Sequence, residues 1–180
     1  MVRYQMLARR LSLSIMRNIA DGTIIPTERF IGMTRTAQFI ALVFTALMLI
    51  APGAHLFSLP NKIGLVQEQY YLVQTAYRGW HYTGFIIFAA LFANLALAYA
   101  LRADIPARNF ALLAAVLIAA GLGVFFLSVF PANQATANWT AQPAHWETLR
   151  WHWEYGHAAN AVLSLAAFCA TALSVLTARR

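Results

Sequence analysis

Four long stretches of this chain contain no aspartate, glutamate, lysine or arginine, and they limit what the chain can fold into. They lie between Arg35 and Lys62, between Arg78 and Arg102, between Arg108 and Glu147, and between Glu154 and Arg179. Each is long enough for the roughly 20 apolar residues that cross a bilayer as a helix. Only 11% of all residues are charged, against about 25% in a soluble domain. The sequence therefore predicts an integral membrane protein whose main partner is the lipid bilayer.

The predicted fold class is all-α, because only helices and closed barrels satisfy every backbone polar group inside a bilayer. Four spans should form an up-down four-helix bundle, with boundaries at about 36–57, 80–101, 109–130 and 156–177. Between the first two spans, apolar residues interleave with Gln and Glu, which predicts a short extracytoplasmic helix that caps the bundle. Pro52 should weaken the first span near that end, because proline lacks a backbone N–H.

Residues 1–35 are predicted to form a basic segment ahead of the four-span domain of residues 36–180. Arginines alternate with apolar residues in this segment, and four of the apolar residues recur at a helical spacing. These four are Leu7, Leu11, Ile15 and Ile19. The pattern is typical of an amphipathic helix that lies on an anionic membrane surface. A start of translation at Met6, Met16 or Met33 is the alternative, in which part of the segment is not made.

The net charge of +7 could suggest a nucleic-acid partner, but the distribution of the charges argues against one. Only three of the 13 basic residues lie on the side of the predicted cap, and these are Lys62, Arg78 and Arg150. The other ten precede the first span, separate the second span from the third, or follow the fourth. The positive-inside rule then predicts that both termini are cytoplasmic. The basic residues reflect topology, and no nucleic-acid binding is expected.

All five histidines and all five tryptophans fall at or beyond the outer membrane surface in this topology. They are His55, His81, His145, His152, His157, Trp80, Trp139, Trp146, Trp151 and Trp153. An ordinary aromatic belt places tryptophan at both membrane surfaces. The one-sided distribution therefore predicts that the outer face is the functional end of the molecule.

The richest stretch runs from His145 to His157, and it holds three histidines, three tryptophans and two glutamates. At about 100° per residue, four of its side chains share roughly a 60° stripe of a helix, with Glu154 at the edge. The four are Trp146, Arg150, Trp153 and His157. His145 and His152 fall on a different face and are expected to point outward. A cation, an imidazole and two indoles on one stripe predict a site.

Three features inside the spans are predicted to serve packing. Asn94 should make an interhelical hydrogen bond, and Cys169 should be a small buried residue. A stripe of small residues on the third span should let a neighbouring helix approach closely. The stripe consists of Ala111, Ala115, Ala119 and Gly123.

These residues also carry a family resemblance. The run Phe130-Pro131-Ala132-Asn133, followed by Trp146, Arg150, Trp153-Glu154 and His157 before a final apolar helix, resembles the anthrone-oxygenase-like family of small four-helix membrane proteins. The likeness covers roughly residues 36–178, and the basic N-terminal segment departs from the pattern. Two segments near residues 52–55 and 60–80 are similar to those of bacterial members, which implies a bacterial inner (plasma) membrane. Some fungal members are implicated in oxidising an anthrone to an anthraquinone with dioxygen.

The first functional hypothesis follows this resemblance and is an oxygenase or oxidoreductase acting on a flat hydrophobic aromatic substrate, such as an anthrone or quinol. His157 would remove a carbon-bound proton as the base. Glu154 or Asn133 would orient the His157 imidazole, and Arg150 would stabilise the enolate. Aromatic and imidazole rings would bind the substrate. These are Trp146, Trp153, His55 and Trp80.

The sequence leaves two other functional hypotheses open. One is a metal or haem site built from His55, His81 and His157, since imidazole suits copper, zinc and iron. The other is a non-catalytic structural membrane subunit, whose histidines and tryptophans simply populate the interface. In that case Glu154 would pair with Arg150, one helical turn away. The sequence specifies neither a cofactor nor an oligomeric state.

Overall fold

The computed structural model describes residues 12, 13, 16 and 27–179. Within them the chain forms helices and no strand, which confirms the all-α fold class. The helices are α1 Thr27–Met48, α2 Ile50–Lys62, α3 Gln67–Gln74, α4 Gly84–Ala100, α5 Ile105–Val124, α6 Phe130–Ala135 and α7 Trp146–Thr177. Two short 3-10 helices, Thr75–Tyr77 and Trp80–Thr83, lead into α4. A π-helical turn, Phe125–Val129, joins α5 to α6.

Four helical segments are long and apolar enough to cross a membrane, as predicted. They are Gly32–Lys62, Trp80–Ala100, Ile105–Ala135 and Trp146–Thr177. The first and third extend beyond both predicted ends, the second matches its prediction to within one residue, and the fourth begins at Trp146 rather than near residue 156. Backbone hydrogen bonding continues into polar residues, whereas the apolar pattern marks only the part of a helix that faces lipid.

The chain divides into two compact units, residues 1–36 and residues 37–180. Every contact described below lies within the second unit. The predicted amphipathic helix of the N-terminal segment falls almost entirely outside the described residues. The four positions on which that prediction depends, Leu7, Leu11, Ile15 and Ile19, are all among those not described.

The first span is interrupted at Leu49, between α1 and α2. Pro52 explains the position, because its missing N–H leaves the carbonyl of Met48 without the usual helical partner. Helix α3 follows as the predicted short helix between the first two spans. We call the end of the bundle that carries α3 the cap end, and the end that carries the turn between α4 and α5 the turn end.

A polar network at Asn94 joins three spans below the cap end. Its side-chain amide donates to the hydroxyl of Thr45 at 3.0 Å and accepts a hydrogen bond from Thr171 at 2.8 Å. All three side chains are fully buried. The predicted interhelical role of Asn94 is therefore confirmed. Cys169 is exposed, so the prediction of a buried packing residue is wrong, because its side chain faces outward from α7.

Small residues bring α5 and α7 close together. Ala107, Ala111, Ala114 and Ala115 are buried on α5, whereas Ala119 of the predicted stripe is exposed. A repeat of four residues drifts around a helix of 3.6 residues per turn, so the stripe leaves the interface after two steps. Further along, a Cβ on Gly121 would lie 2.9 Å from Oδ1 of Asn160, and one on Gly156 would lie 2.8 Å from Cγ2 of Val129.

Candidate functional site

A cavity of about 830 Å³ lies among the four spans towards the cap end. Sites for drug-sized ligands measure about 300–1,000 Å³, so the cavity is large enough for a polycyclic molecule. Part of its wall is apolar, formed by Met48, Ile87, Leu117, Ile118 and Leu122. The rest of the wall carries aromatic, imidazole and amide side chains from α2, α3, α6, α7 and the segments that join them.

The cavity separates the predicted site residues into two groups. Those in its wall are His55, Trp80, His81, Asn133, Trp153 and His157. Three others, Trp146, Arg150 and Glu154, do not line it and instead pack beneath the cap helix. The predicted helical stripe is therefore continuous on α7 but serves two environments, because its lower part faces the cavity and its upper part faces α3. The proposed contact of Arg150 with a substrate enolate does not fit this placement.

The imidazoles of His55 and His157 stack on each other. Their ring centroids are 4.0 Å apart and the planes are inclined by 21°. The indole of Trp153 packs edge-on against both, at 4.8 Å from His55 and 4.4 Å from His157. Tyr77 lies 4.3 Å from the His55 ring on another side. His55 and His157 lie far apart in the sequence, so no local sequence pattern could have predicted that they contact each other.

Asn133 positions Trp153. Its Oδ1 atom accepts a hydrogen bond of 2.8 Å from the indole N–H, which fixes the indole against the histidine pair. The expectation was that Asn133 or Glu154 would orient His157. Asn133 is instead committed to the indole, and Glu154 faces α2 and α3, so neither side chain holds the imidazole.

Glu154 forms a buried polar cluster with Lys62 and Tyr70. The Lys62 ammonium lies 3.0 Å from Oε1 of Glu154, as an ion pair without the alignment of a hydrogen bond. The hydroxyl of Tyr70 donates to the same oxygen at 3.0 Å. Burial and the neighbouring carboxylate raise the pKa of Tyr70 above its ordinary value, so this hydroxyl stays protonated and keeps donating.

Arg150 does not form the predicted ion pair with Glu154. Its guanidinium donates to the carbonyl oxygen of Leu65 at 2.7 Å and lies 4.6 Å from the ring centroid of Trp146. The prediction of an Arg150–Glu154 pair is therefore wrong. Lys62 pairs with the Glu154 carboxylate because it belongs to the last turn of α2, which lies beside that carboxylate. Arg150 instead contacts the loop before α3. Both interactions depend on residues far away in the sequence.

Three buried side chains in the cavity wall carry polar atoms that make no well-aligned hydrogen bond within the described residues. They are Nδ1 of His55, both amide atoms of Gln74, and Nε1 of Trp139. These side chains are only 4%, 6% and 7% exposed. A buried polar group without a hydrogen bond costs about 1–3 kcal/mol, so these three side chains are the positions in the wall that would gain most from an added polar partner. The sequence placed Trp139 at the functional end without marking it as a site residue, and it gave no sign of Gln74, since neither stands in a recognisable motif.

A strained turn places Trp139 in the wall. Ala137, Asn138 and Trp139 have φ values of 48°, 56° and 64°, a left-handed conformation that costs non-glycine residues of order 1 kcal/mol or more each. Thr136 holds the turn, because its hydroxyl accepts from the backbone N–H of Trp139 at 3.0 Å. Such strain is concentrated at binding sites, which agrees with the position of this turn beside the cavity.

The three histidines of the metal hypothesis do not converge. His55 and His157 stack, whereas His81 is exposed and packs its ring 4.1 Å from that of Tyr82. Within the part of the chain that the structure describes, no group of three or more His, Cys, Asp or Glu side chains could hold a metal ion. The side-chain geometry thus gives this hypothesis no specific support.

No protein-family model, no curated protein and no solved structure matches the chain. The resemblance to the anthrone-oxygenase-like family therefore depends on the sequence alone, on the motif from Phe130 to His157 and the two segments near residues 52–55 and 60–80.

Proposed function

We propose that this membrane protein is an oxygenase or oxidoreductase of the anthrone-oxygenase-like type, and that it binds a flat hydrophobic aromatic molecule in the cavity. The observation that carries the proposal is the position of His157. This histidine of the motif lies in the wall of the cavity beside aromatic rings, and three side chains with unmatched polar atoms line the same cavity. Flat apolar surface together with a few unmatched polar atoms suits a polycyclic ring with oxygen substituents.

The cavity wall can contact both the flat surface of such a ring and the oxygen substituents at its edge. Trp80, Trp153 and Tyr77 provide aromatic surface, since aromatic pairs favour stacked or edge-to-face contacts. The indole N–H of Trp139 donates to a ring carbonyl or hydroxyl, and the amide of Gln74 both donates and accepts. The same donors stabilise negative charge that develops on a ring oxygen. They replace Arg150, which lies outside the wall, in the role of enolate stabiliser.

His157 acts as the general base in this proposal. It takes a proton from the acidic methylene carbon of an anthrone, and the remaining electron pair is delocalised into the ring carbonyl. Dioxygen, the second substrate, accepts electrons from the carbanion and forms a carbon–oxygen bond. The peroxide anion takes the proton back from His157, and loss of water from the resulting hydroperoxide leaves a new carbonyl, so one oxygen atom enters the product and the other leaves as water. A positioned base contributes typically about 10²–10⁴-fold to such a step.

The proposed location is the bacterial inner membrane with both termini in the cytoplasm. The excess of arginine at the turn end and before the first span supports this orientation. The cap end and the cavity then lie towards the outer leaflet. A hydrophobic substrate would reach the cavity from the membrane rather than from water.

Oxygen uptake by the purified protein in nanodiscs tests the proposal. A panel of anthrones and quinols should give uptake above that of empty nanodiscs for at least one compound. Quenching of tryptophan fluorescence reports binding of the same compounds, because Trp80, Trp139 and Trp153 line the cavity. Saturable quenching together with protein-dependent uptake supports the proposal. A panel in which no compound binds, or in which none is oxidised faster than in empty nanodiscs, contradicts it.

A further inference from the structure

A small groove lies beside the cavity, between the first and second spans. Its volume is about 210 Å³. Its lining consists of Leu47, Met48, Ile50, Ala51, Pro52, Trp80, Thr83, Ile86 and Ile87. All of these except Leu47, Ile50 and Ile86 also line the main cavity. The groove and the cavity therefore lie side by side and share six lining residues, with the groove on the outer side between the first two spans.

The backbone explains why the two spans separate here. Towards the turn end a hydrogen bond between Asn94 and Thr45 joins them, and Ala41 and Leu97 belong to one buried cluster. Towards the cap end, Pro52 interrupts the first span, and the second span begins as the 3-10 helix Trp80–Thr83. A 3-10 helix is narrower than an α-helix, so the two segments leave space between them.

The outer side of the groove faces the surface of the bundle. Leu47 is 40% exposed and Ile50 is 63% exposed, and both side chains are apolar in a segment that crosses the membrane. Trp80 stands at the inner side, where its ring packs edge-on against His55 at 5.5 Å. A molecule in the groove would thus connect the histidine pair with the lipid phase.

Polar and apolar groups are separated between the two compartments. The three side chains with unpartnered polar atoms, His55, Gln74 and Trp139, line the cavity and not the groove. The one hydroxyl in the groove belongs to Thr83, and it is satisfied by the carbonyl of Trp80 at 2.6 Å. One occupant of both spaces would carry its polar atoms at one end and an apolar chain at the other.

We propose that the ligand of this site is a ring with a long apolar tail, and that the tail leaves through the groove into the bilayer. The inference rests on the proposed function, because it assumes that a ring binds in the cavity. The groove is smaller than the roughly 300 Å³ of sites that hold a separate small molecule. Its size and the six lining residues that it shares with the cavity favour the tail of the cavity's own ligand over an independent lipid.

The inference is tested by comparing a ligand with and without an apolar tail, in the wild-type protein and in variants whose groove is filled by a larger side chain. A naphthoquinone ring without a tail and the same ring with an isoprenoid tail are titrated against the protein in nanodiscs by tryptophan quenching. Leu47→Trp and Ile86→Trp fill the groove, and neither residue lines the main cavity. Leu165→Trp is the matched control, since Leu165 is 55% exposed on α7 and lines neither space.

Both groove variants should weaken binding of the tailed ring at least about tenfold, because the new indole blocks the path of the tail. They should leave binding of the tailless ring unchanged, and Leu165→Trp should change neither. Equal binding of the tailed ring to wild type and both groove variants would overturn the inference and indicate that only bilayer chains occupy the groove. Failure of both rings to bind the wild-type protein would instead contradict the proposed function.

Discussion

The ammonium of Lys62 lies 3.0 Å from a carboxylate oxygen of Glu154, and the two side chains are only 3% and 0% exposed. Lys62 ends α2, Glu154 belongs to α7, and Tyr70 of α3 donates to the same carboxylate oxygen. The Lys62 ammonium also lies 5.0 Å from the ring centroid of Trp153. One carboxylate thus joins three helices directly behind the indole that forms the cavity wall.

Glu154→Gln should destabilise the protein strongly, because it leaves the Lys62 ammonium buried without a counter-charge. Breaking a buried ion pair costs about 3–5 kcal/mol in free energy of unfolding. Glu147→Gln is the control, since Glu147 is an exposed residue in the first turn of the same helix and should cost less than about 0.5 kcal/mol. Unfolding of the solubilised protein by denaturant measures both.

The double variant Lys62→Met/Glu154→Leu separates the charge from the packing. Apolar residues of similar volume often replace a buried ion pair without loss of stability, so the double variant should recover most of what Glu154→Gln loses. A double variant as unstable as the single one would show that shape, rather than the unpaired charge, dominates at this position.

Tyr70→Phe should make the free energy of unfolding fall less steeply as the pH rises above about 10. The pKa of Tyr70 is raised in the folded protein, so above about pH 10 the unfolded chain releases this proton while the folded one retains it. The stabilisation is complete below the unfolded pKa and is lost as the pH rises above it, by about 1.4 kcal/mol per pH unit for one group. Unfolding measured between about pH 9 and 11 should show a shallower slope in Tyr70→Phe. An identical slope would contradict the prediction.

Gly156→Ala and Gly53→Ala should have opposite effects on stability. A methyl group on Gly156 would meet Cγ2 of Val129 at 2.8 Å and the Ser128 hydroxyl at 3.1 Å, so α7 must shift, at a cost of about 1–3 kcal/mol. A methyl group on Gly53 meets nothing within 4 Å, and alanine favours a helix by about 0.5–1 kcal/mol over glycine. Thermal unfolding compares the two, and a Gly156→Ala protein as stable as wild type would argue against this close contact.

The four spans could be predicted because hydropathy reports directly on which residues face lipid. Their ends could not, since α7 begins ten residues before its apolar part, at Trp146. Hydrogen bonds along the backbone carry the helix through Arg150 and Glu154, and the charges there are satisfied by α2 and by the loop before α3. Those partners are distant in sequence and leave no local signal.

The candidate site could be predicted only in part, for a related reason. Helical periodicity correctly places Trp153 and His157 on one face of α7, and it separates them from the exposed His145 and His152. Helical periodicity predicts the angle at which a side chain leaves the helix. It does not predict which neighbouring helix or loop that side chain contacts. It could therefore not predict that Glu154 turns towards Lys62, or that a strained turn brings the Trp139 indole into the wall.

Exchange of an anthrone's methylene protons for solvent deuterium tests the central claim most directly, because it isolates the step assigned to His157. With dioxygen excluded, the protein should accelerate the exchange, and His157→Gln should lower the accelerated rate by about 10²-fold or more. His152→Gln is the control on the exposed face of α7, and it should exchange like the wild type. Equal exchange rates in wild type and His157→Gln would contradict the account.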